Sequence, residues 1–212
     1  TSEHLQNCHA LLPCVLSRLF NLMVSADHIP DAFCKSYTVP LLKGNCSTYC
    51  KTVSANDFRG ISISPVLSKV FEQCILQRYC DFLTSSDNQF GFKKKSGCVH
   101  AIYALKCTAD YYVSHNSTVN LCALDLSKAF DKMNHHALFL KLMKNHIPVS
   151  LLRLLEIWFE SSSTCVKWGN CFSDFFKLTC GIRQGGVLSP PLFAVYIDSV
   201  IEKIRASEVS CV

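Results

Sequence analysis

The 212 residues contain no uncharged apolar run of about 18, so no membrane-spanning helix is expected. They contain no Cys-x-x-Cys pair despite 14 cysteines. The nearest approach is Cys46-x-x-x-Cys50, with no second pair at zinc spacing, which argues against a structural zinc site. Internal repeats and low-complexity tracts are absent. Thr1 stands where an initiator Met would, and Thr1–Leu12 has neither the basic start nor the apolar middle of a signal peptide. An internal stretch of a longer protein is therefore expected. Charge is scarce too: 17% of residues are charged against 49% apolar, which excludes a disordered chain and predicts a folded one with a substantial core.

The cysteines fall inside apolar runs (Cys14, Cys74, Cys107, Cys122), where a free thiol behaves as a small hydrophobe. Reduced cysteines, an intracellular setting and chance status for the sequons at Asn45-Cys-Ser47 and Asn116-Ser-Thr118 follow together. Net charge is +5, unevenly placed. Between Lys35 and Lys106 there are ten Lys/Arg against four Asp/Glu. That excess suits either a solvated face or a surface that tracks phosphates.

The periodicities predict one α/β body. Helical spacing runs through Leu5–Ser25, Val66–Leu83, Cys98–Val113, Asn134–Asn145 and Leu151–Glu160, and again after Ser189-Pro190. Ser64, Ser150 and Ser189 are expected to cap three of these helices. Strands are expected at Ser36–Leu42 and Asp57–Pro65, paired with each other, and in a hairpin, Thr164–Trp168 and Cys171–Phe176, about Gly169-Asn170. Val119–Leu124 runs apolar and predicts a short strand buried on both faces. It ends in Asp125, a carboxylate that must either cap the following turn or hold a cation. His135-His136 reads as helix surface, since no third ligand is spaced to join it.

Four stretches, in this order, resemble the reverse transcriptases of non-LTR (LINE-type) retrotransposons. They are Phe58-Arg59-Gly-Ile-Ser with Leu67-Ser-Lys-Val-Phe-Glu72, Gln89-Phe-Gly-Phe-Lys93 with Ala101-Ile, Leu124-Asp125-Leu-Ser-Lys-Ala-Phe130-Asp131, and Arg183-Gln184-Gly185-Gly186-Val-Leu-Ser-Pro190-x-Leu-Phe193. The upstream helix and Val39-Pro-Leu-Leu-Lys43 fit as well. Departures are Gly60 where the family usually has Pro, the Lys93-Lys-Lys-Ser-Gly97 loop, and Pro191 doubling the helix-start proline.

The resemblance implies a right-hand polymerase fold: fingers over 1–118, and the beginning of the palm over 119–212 with an incomplete antiparallel sheet and packed helices. It implies RNA template, DNA primer and dNTPs as partners, joined by two Mg²⁺ ions, and a C-terminal palm and thumb beyond these residues. Asp125 becomes the first catalytic carboxylate and a metal ligand, with the Leu126 carbonyl as a second. The family's paired-Asp motif follows the last helix and is not among the 212 residues, so these residues alone are not expected to polymerise. Phe130 becomes the steric gate beneath the incoming sugar; read from composition alone it is an ordinary core aromatic. Asp131 reads as a helix-entry cap. Gln184, Gly185 and Gly186 would let backbone approach the nascent base pair. Arg59 and Lys43 would bind triphosphate or template backbone. Lys93, Lys94 and Lys95, beside Phe90 and Phe92, suit either a template strand or a solvated loop. Arg183 is either a nucleic-acid contact or a solvated charge.

Overall fold

A computed structural model describes residues 2–43, 53–93 and 95–207. Its elements are α1 (Ser2–Gln6), α2 (Leu12–Ser25), α3 (Asp31–Cys34), β1 (Lys35–Leu42), β2 (Phe58–Ile63), α4 (Val66–Arg78), α5 (Cys98–Ser114), α6 (His135–Lys144), α7 (Val149–Ser161), β3 (Ser163–Trp168), β4 (Cys171–Phe172), β5 (Phe176–Lys177) and α8 (Ser189–Ala206). This is the mixed α/β body the periodicities predict.

The core forms where helical stripes meet. α4 turns Phe71 and Ile75 inward, α7 turns Leu151, Leu154, Leu155 and Trp158, and α6 turns Leu138 and Leu142. These positions recur at spacings of three and four, the geometry of one helix face. Phe71 is the centre, with ring centroids 4.9 Å from Phe20, 5.6 Å from Trp158 and 6.3 Å from Phe33. Burying such a ring contributes about 1.5–3 kcal/mol. The Trp158 indole N–H finds its partner in the Phe33 carbonyl at 3.3 Å.

The sheet order is β2-β1-β3-β4, with β5 also on β3. β1 and β2 pair antiparallel, as expected, with Tyr37 opposite Ile63 and Leu42 opposite Phe58. β1 and β3 pair in parallel, so strands from either side of residue 118 share one sheet.

Three local expectations are corrected. Val119–Asp125 forms no strand: 117–126 has no regular structure, and Leu124 is 78% exposed. No strand among the described residues lies beside it, and an extended segment without a neighbour has no partners for its amides and carbonyls. The serine caps fail as well. α4 and α7 begin after Pro65 and Pro148 with no side-chain cap, and the Ser64 hydroxyl is buried with no hydrogen-bond partner among the described residues. Asp131 lies in the turn ahead of α6, where Asn134 is the cap and accepts from the Ala137 amide at 2.9 Å. Helix α5 buries nothing, leaving Val99, Ile102 and Tyr103 open.

Candidate nucleotide and nucleic-acid site

The loop from Gly181 to Leu188 is laid against two other segments by glycine. Gly181 has φ +76°, and a Cβ there would lie 2.6 Å from the Asp131 carbonyl oxygen. Its amide donates to Met133 O at 2.7 Å and the Ile182 amide to Phe130 O at 2.9 Å, so this end runs beside 130–133. Gly185 has φ +122°, and a Cβ there would meet Ser62 O at 2.5 Å. The Ser62 amide donates to Gln184 O at 2.7 Å, so the loop covers the free edge of β2. The Gln184 side chain donates from Nε2 to Asp131 Oδ1 at 3.1 Å. Asp131 thus ties the loop instead of capping a helix.

Two charged side chains, one buried and one half-buried, hold this loop from behind. Glu72, on the inward face of α4, is 6% exposed. Its Oε2 accepts from the amides of Val187 at 2.5 Å and Leu188 at 2.9 Å, immediately ahead of α8. The carboxylate therefore fixes the two residues that lead into α8, which has no side-chain cap, and it lies near the positive end of the helix dipole. Arg183 turns inward and donates to Phe33 O at 3.2 Å, to Cys34 O and to Ser162 Oγ at 2.9 Å. Burial pushes the Glu72 carboxyl above its usual 4.5, against the pull of the two amides, then Arg183 and Lys69. Burial likewise lowers Arg183, opposed by Glu72 and Cys34.

This arrangement has a pH consequence. The folded state holds the Glu72 proton more tightly than the unfolded chain does, so stability falls as pH rises from the usual carboxylate value towards the raised one. Glu72→Gln keeps an acceptor for both amides and removes the titration. Wild type should lose stability relative to Glu72→Gln across that window in denaturant titrations at successive pH. A difference that stays flat with pH overturns this account.

Phe130 stacks on Phe193 of α8, with centroids 4.6 Å apart and planes 19° from parallel. Phe92 meets both edge-on, at 5.8 and 6.2 Å, from a left-handed backbone with φ +59°. The basic loop is thereby pinned to α8. Asp198 reinforces the pin by accepting from the Ser86 amide and hydroxyl, while Lys93 Nζ donates to Ser86 O at 2.5 Å and lies 3.8 Å from Asp87. Lys95 is exposed; Lys94 lies outside the described residues.

Lys43 Nζ donates to Asn56 O at 2.8 Å and Lys128 Nζ to Asn56 Oδ1 at 2.7 Å, drawing the turn at 127–130 towards the β1–β2 connection. Arg59 stands exposed on β2. Asp125 and Leu126 are exposed in the irregular 117–126 segment. The structure therefore sets Phe130 and Gln184 at the 127–133 turn, links Lys43 to it through Asn56 and Lys128, lays Gly185 against Ser62 of β2, and leaves Asp125 and Leu126 open beside the turn in sequence. Among the described residues no three His, Cys, Asp or Glu side chains cluster to hold a metal.

Sequence reasoning missed Glu72, Lys128 and Asn56, and its reading of His135 as helix surface is corrected. His135 is half-buried, its Nε2 2.6 Å from Gly181 O and its ring edge-on to Phe159. One signal was available: Glu72 falls on the same stripe as Phe71 and Ile75, and an acid on a buried stripe needs a partner. Nothing in spacing marks Lys128 or Asn56.

Comparison with known proteins agrees with this geometry. The family described as Reverse transcriptase (RNA-dependent DNA polymerase) matches residues 43–212. The Pol polyprotein of the type-2 retrotransposable element R2DM of Drosophila melanogaster is 24% identical over 193 residues, 90% of this chain and 18% of that protein. The RNA-directed DNA polymerase from the mobile element jockey of Drosophila funebris is 27% identical over 194 residues, 88% of this chain and 20% of that protein. The probable RNA-directed DNA polymerase from transposon X-element of Drosophila melanogaster is 29% identical over 143 residues, 66% and 16% respectively. The chain spans about a fifth of the length of these relatives. With a match over most of its residues and a loop built as described, the chain belongs to the reverse transcriptase family, among those of non-LTR retrotransposons.

Proposed function

We propose that the full protein carrying these residues copies RNA into DNA, with residues 1–118 serving as fingers and 119–212 as the start of the palm. The observation that supports this most is the loop 181–188, which glycine and two charged side chains set against both the Phe130 turn and the β2 edge. Asp125 serves as the first catalytic carboxylate. Its carboxylate and the Leu126 carbonyl are hard oxygen donors of the kind Mg²⁺ takes, and their exposure leaves room for water and phosphate oxygens. A pair of such ions would stabilise the attacking and leaving oxygens of nucleotidyl transfer.

The chain's own residues orient the reactants. Lys43 and Arg59 receive the triphosphate, Gln184 and Gly185 face the nascent base pair, and Gly186 admits Glu72 and Ser189, which a Cβ there would meet at 3.2 and 2.6 Å. Lys93, Lys94 and Lys95 serve in this reading as contacts to the template strand. Arg183 serves in this reading as a positioning group, on the strength of its three internal acceptors. The setting is intracellular, in keeping with cysteines that are all free thiols among the described residues. No described helix is long and apolar enough to cross a membrane.

Phe130 is the steric gate, its ring held by stacking on Phe193. Phe130→Val in the full-length protein should raise ribonucleotide incorporation on an RNA template by an order of magnitude or so, since removing a clash of one ring restores about 1–3 kcal/mol. Primer extension with mixed dNTP and rNTP pools measures it. An unchanged ratio removes Phe130 from the gate.

A further inference from the structure

A cavity of about 370 Å³ opens between α1, α2 and α4, on residues to which the polymerase reading gives no role. Its floor belongs to the core: Phe20, Phe71 and Ile75 are all buried. Leu16 and Val24 of α2 and Val70 of α4 form half-buried walls. The lining positions on α2 run from Leu12 to Val24, about 18 Å of helix, so the cavity is a groove along the helix pair.

The C-terminal end of α4 adds polar groups. Arg78 stands exposed in its last turn, with Nη1 donating to Asn21 Oδ1 at 3.1 Å and the guanidinium 5.7 Å from the Tyr79 ring centroid. Asn21 is itself held, its Nδ2 donating to Ser17 O at 2.8 Å, which keeps Oδ1 towards Arg78. An arginine carries several N–H donors in a fixed fork, and the Asn21 oxygen takes only one. No Asp or Glu is among the residues that line the groove.

We propose that this groove binds a small amphipathic carboxylate, its apolar body along Leu16, Phe20, Val24 and Val70 and its head group on Arg78. A long apolar trough suits a hydrocarbon body, which gains by leaving water. A single cation at its end suits one negative charge, and the guanidinium fork matches a planar carboxylate through two parallel N–H bonds. A polyanion brings several charges to a groove lined by one cation. A neutral or cationic body leaves Arg78 without a counterion. The site goes beyond the polymerase reading and rests on none of its residues. It lies on the helix that also carries Glu72, whose carboxylate holds the loop ahead of α8.

Alkylation of the full protein with N-ethylmaleimide, read peptide by peptide by mass spectrometry, tests the site. Cys8 and Cys74 line the groove, whereas Cys14, Cys98 and Cys107 are exposed outside it and serve as controls in the same sample. Decanoate, kept below its micelle concentration, should slow Cys8 and Cys74 in a saturable way and leave the controls unchanged. Decanol and decylamine should need about ten times the concentration or more, the worth of one charged hydrogen-bonded contact. Arg78→Met should raise the half-protecting decanoate concentration about tenfold and leave that of decanol unchanged, and Arg78→Lys should recover part of the loss. The wild-type comparison of decanoate with decanol decides the matter even where a variant folds poorly. Absence of protection by decanoate overturns the proposal. So does equal protection by decanol, which marks a cleft indifferent to charge, and slowing of all these thiols alike, which marks a detergent effect. Cys8 and Cys74 unreactive before any acid is added, beside reactive controls, overturn it too, since another part of the protein then fills the groove. Primer extension does not enter the test, so its failure and that of the polymerase reading are distinguishable.

Discussion

Asp125→Asn in the full-length protein should lower primer extension by on the order of 10³-fold, because a metal-held charge supplies several kcal/mol of transition-state stabilisation and each 1.36 kcal/mol is tenfold. Asn keeps the size and one oxygen but not the charge. Template binding should stay within about twofold, since phosphate contacts, not one exposed carboxylate, dominate affinity for nucleic acid. Single-turnover extension on an RNA template, with binding measured in parallel, separates the two effects. Synthesis that survives at wild-type rate removes Asp125 from the catalytic centre. The exposure of Asp125 makes the test clean: no described contact of its side chain holds the fold, so lost activity cannot be ascribed to lost structure.

Removal of Glu72 or Arg183 should have the largest effect on stability. Glu72→Ala leaves the Val187 and Leu188 amides without their acceptor and Arg183 without its nearest carboxylate. Arg183→Met strips donors from Phe33 O, Cys34 O and Ser162 Oγ and leaves the buried Glu72 with only the two amides and Lys69 to offset its charge. Leaving buried hydrogen-bonding groups without their partners costs about 1–3 kcal/mol, which lowers the melting temperature of a domain this size by about 2–12 °C. Arg153→Ala is the contrast, since its 3.9 Å contact with Asp27 is at the surface and contributes about 1 kcal/mol or less. Calorimetry of the three variants decides it: equal losses would place Glu72 and Arg183 among ordinary surface charges. The loss at Glu72 and Arg183 should reach the 184–188 loop first, because the carboxylate is what fixes its last two amides.

Much of the fold was legible. The spacing of Phe71 and Ile75, of Leu151, Leu154 and Trp158, and of Leu138 and Leu142 is a property of the sequence, and the helices appear where that spacing puts them. The β1–β2 pair and the turn at Gly169-Asn170 were legible for the same reason: period-two patterns and turn residues are local. Capping was read less well. A serine beside a proline looks like a cap, but α8 has no side-chain cap and the two amides ahead of it are held by Glu72, about 115 residues away, and no local pattern encodes such a partner.

The Val119–Asp125 stretch shows the limit of local reading most directly. Its apolar run suits a buried strand, yet a strand is a pairing, and no described strand lies beside it. Local pattern specifies the helical stripes, the β1–β2 pair, the motif order that places the chain in its family and the charges available to bind phosphate. Long-range packing sets Arg183 facing inward, makes Asp131 tie Gln184 rather than cap a helix, and puts four basic residues from four strands, Lys35, Arg59, Lys167 and Lys177, on one face. Those facts arise from contacts between residues far apart in the chain. Periodicity reports which face a side chain takes, and pairing alone reports what stands beside it.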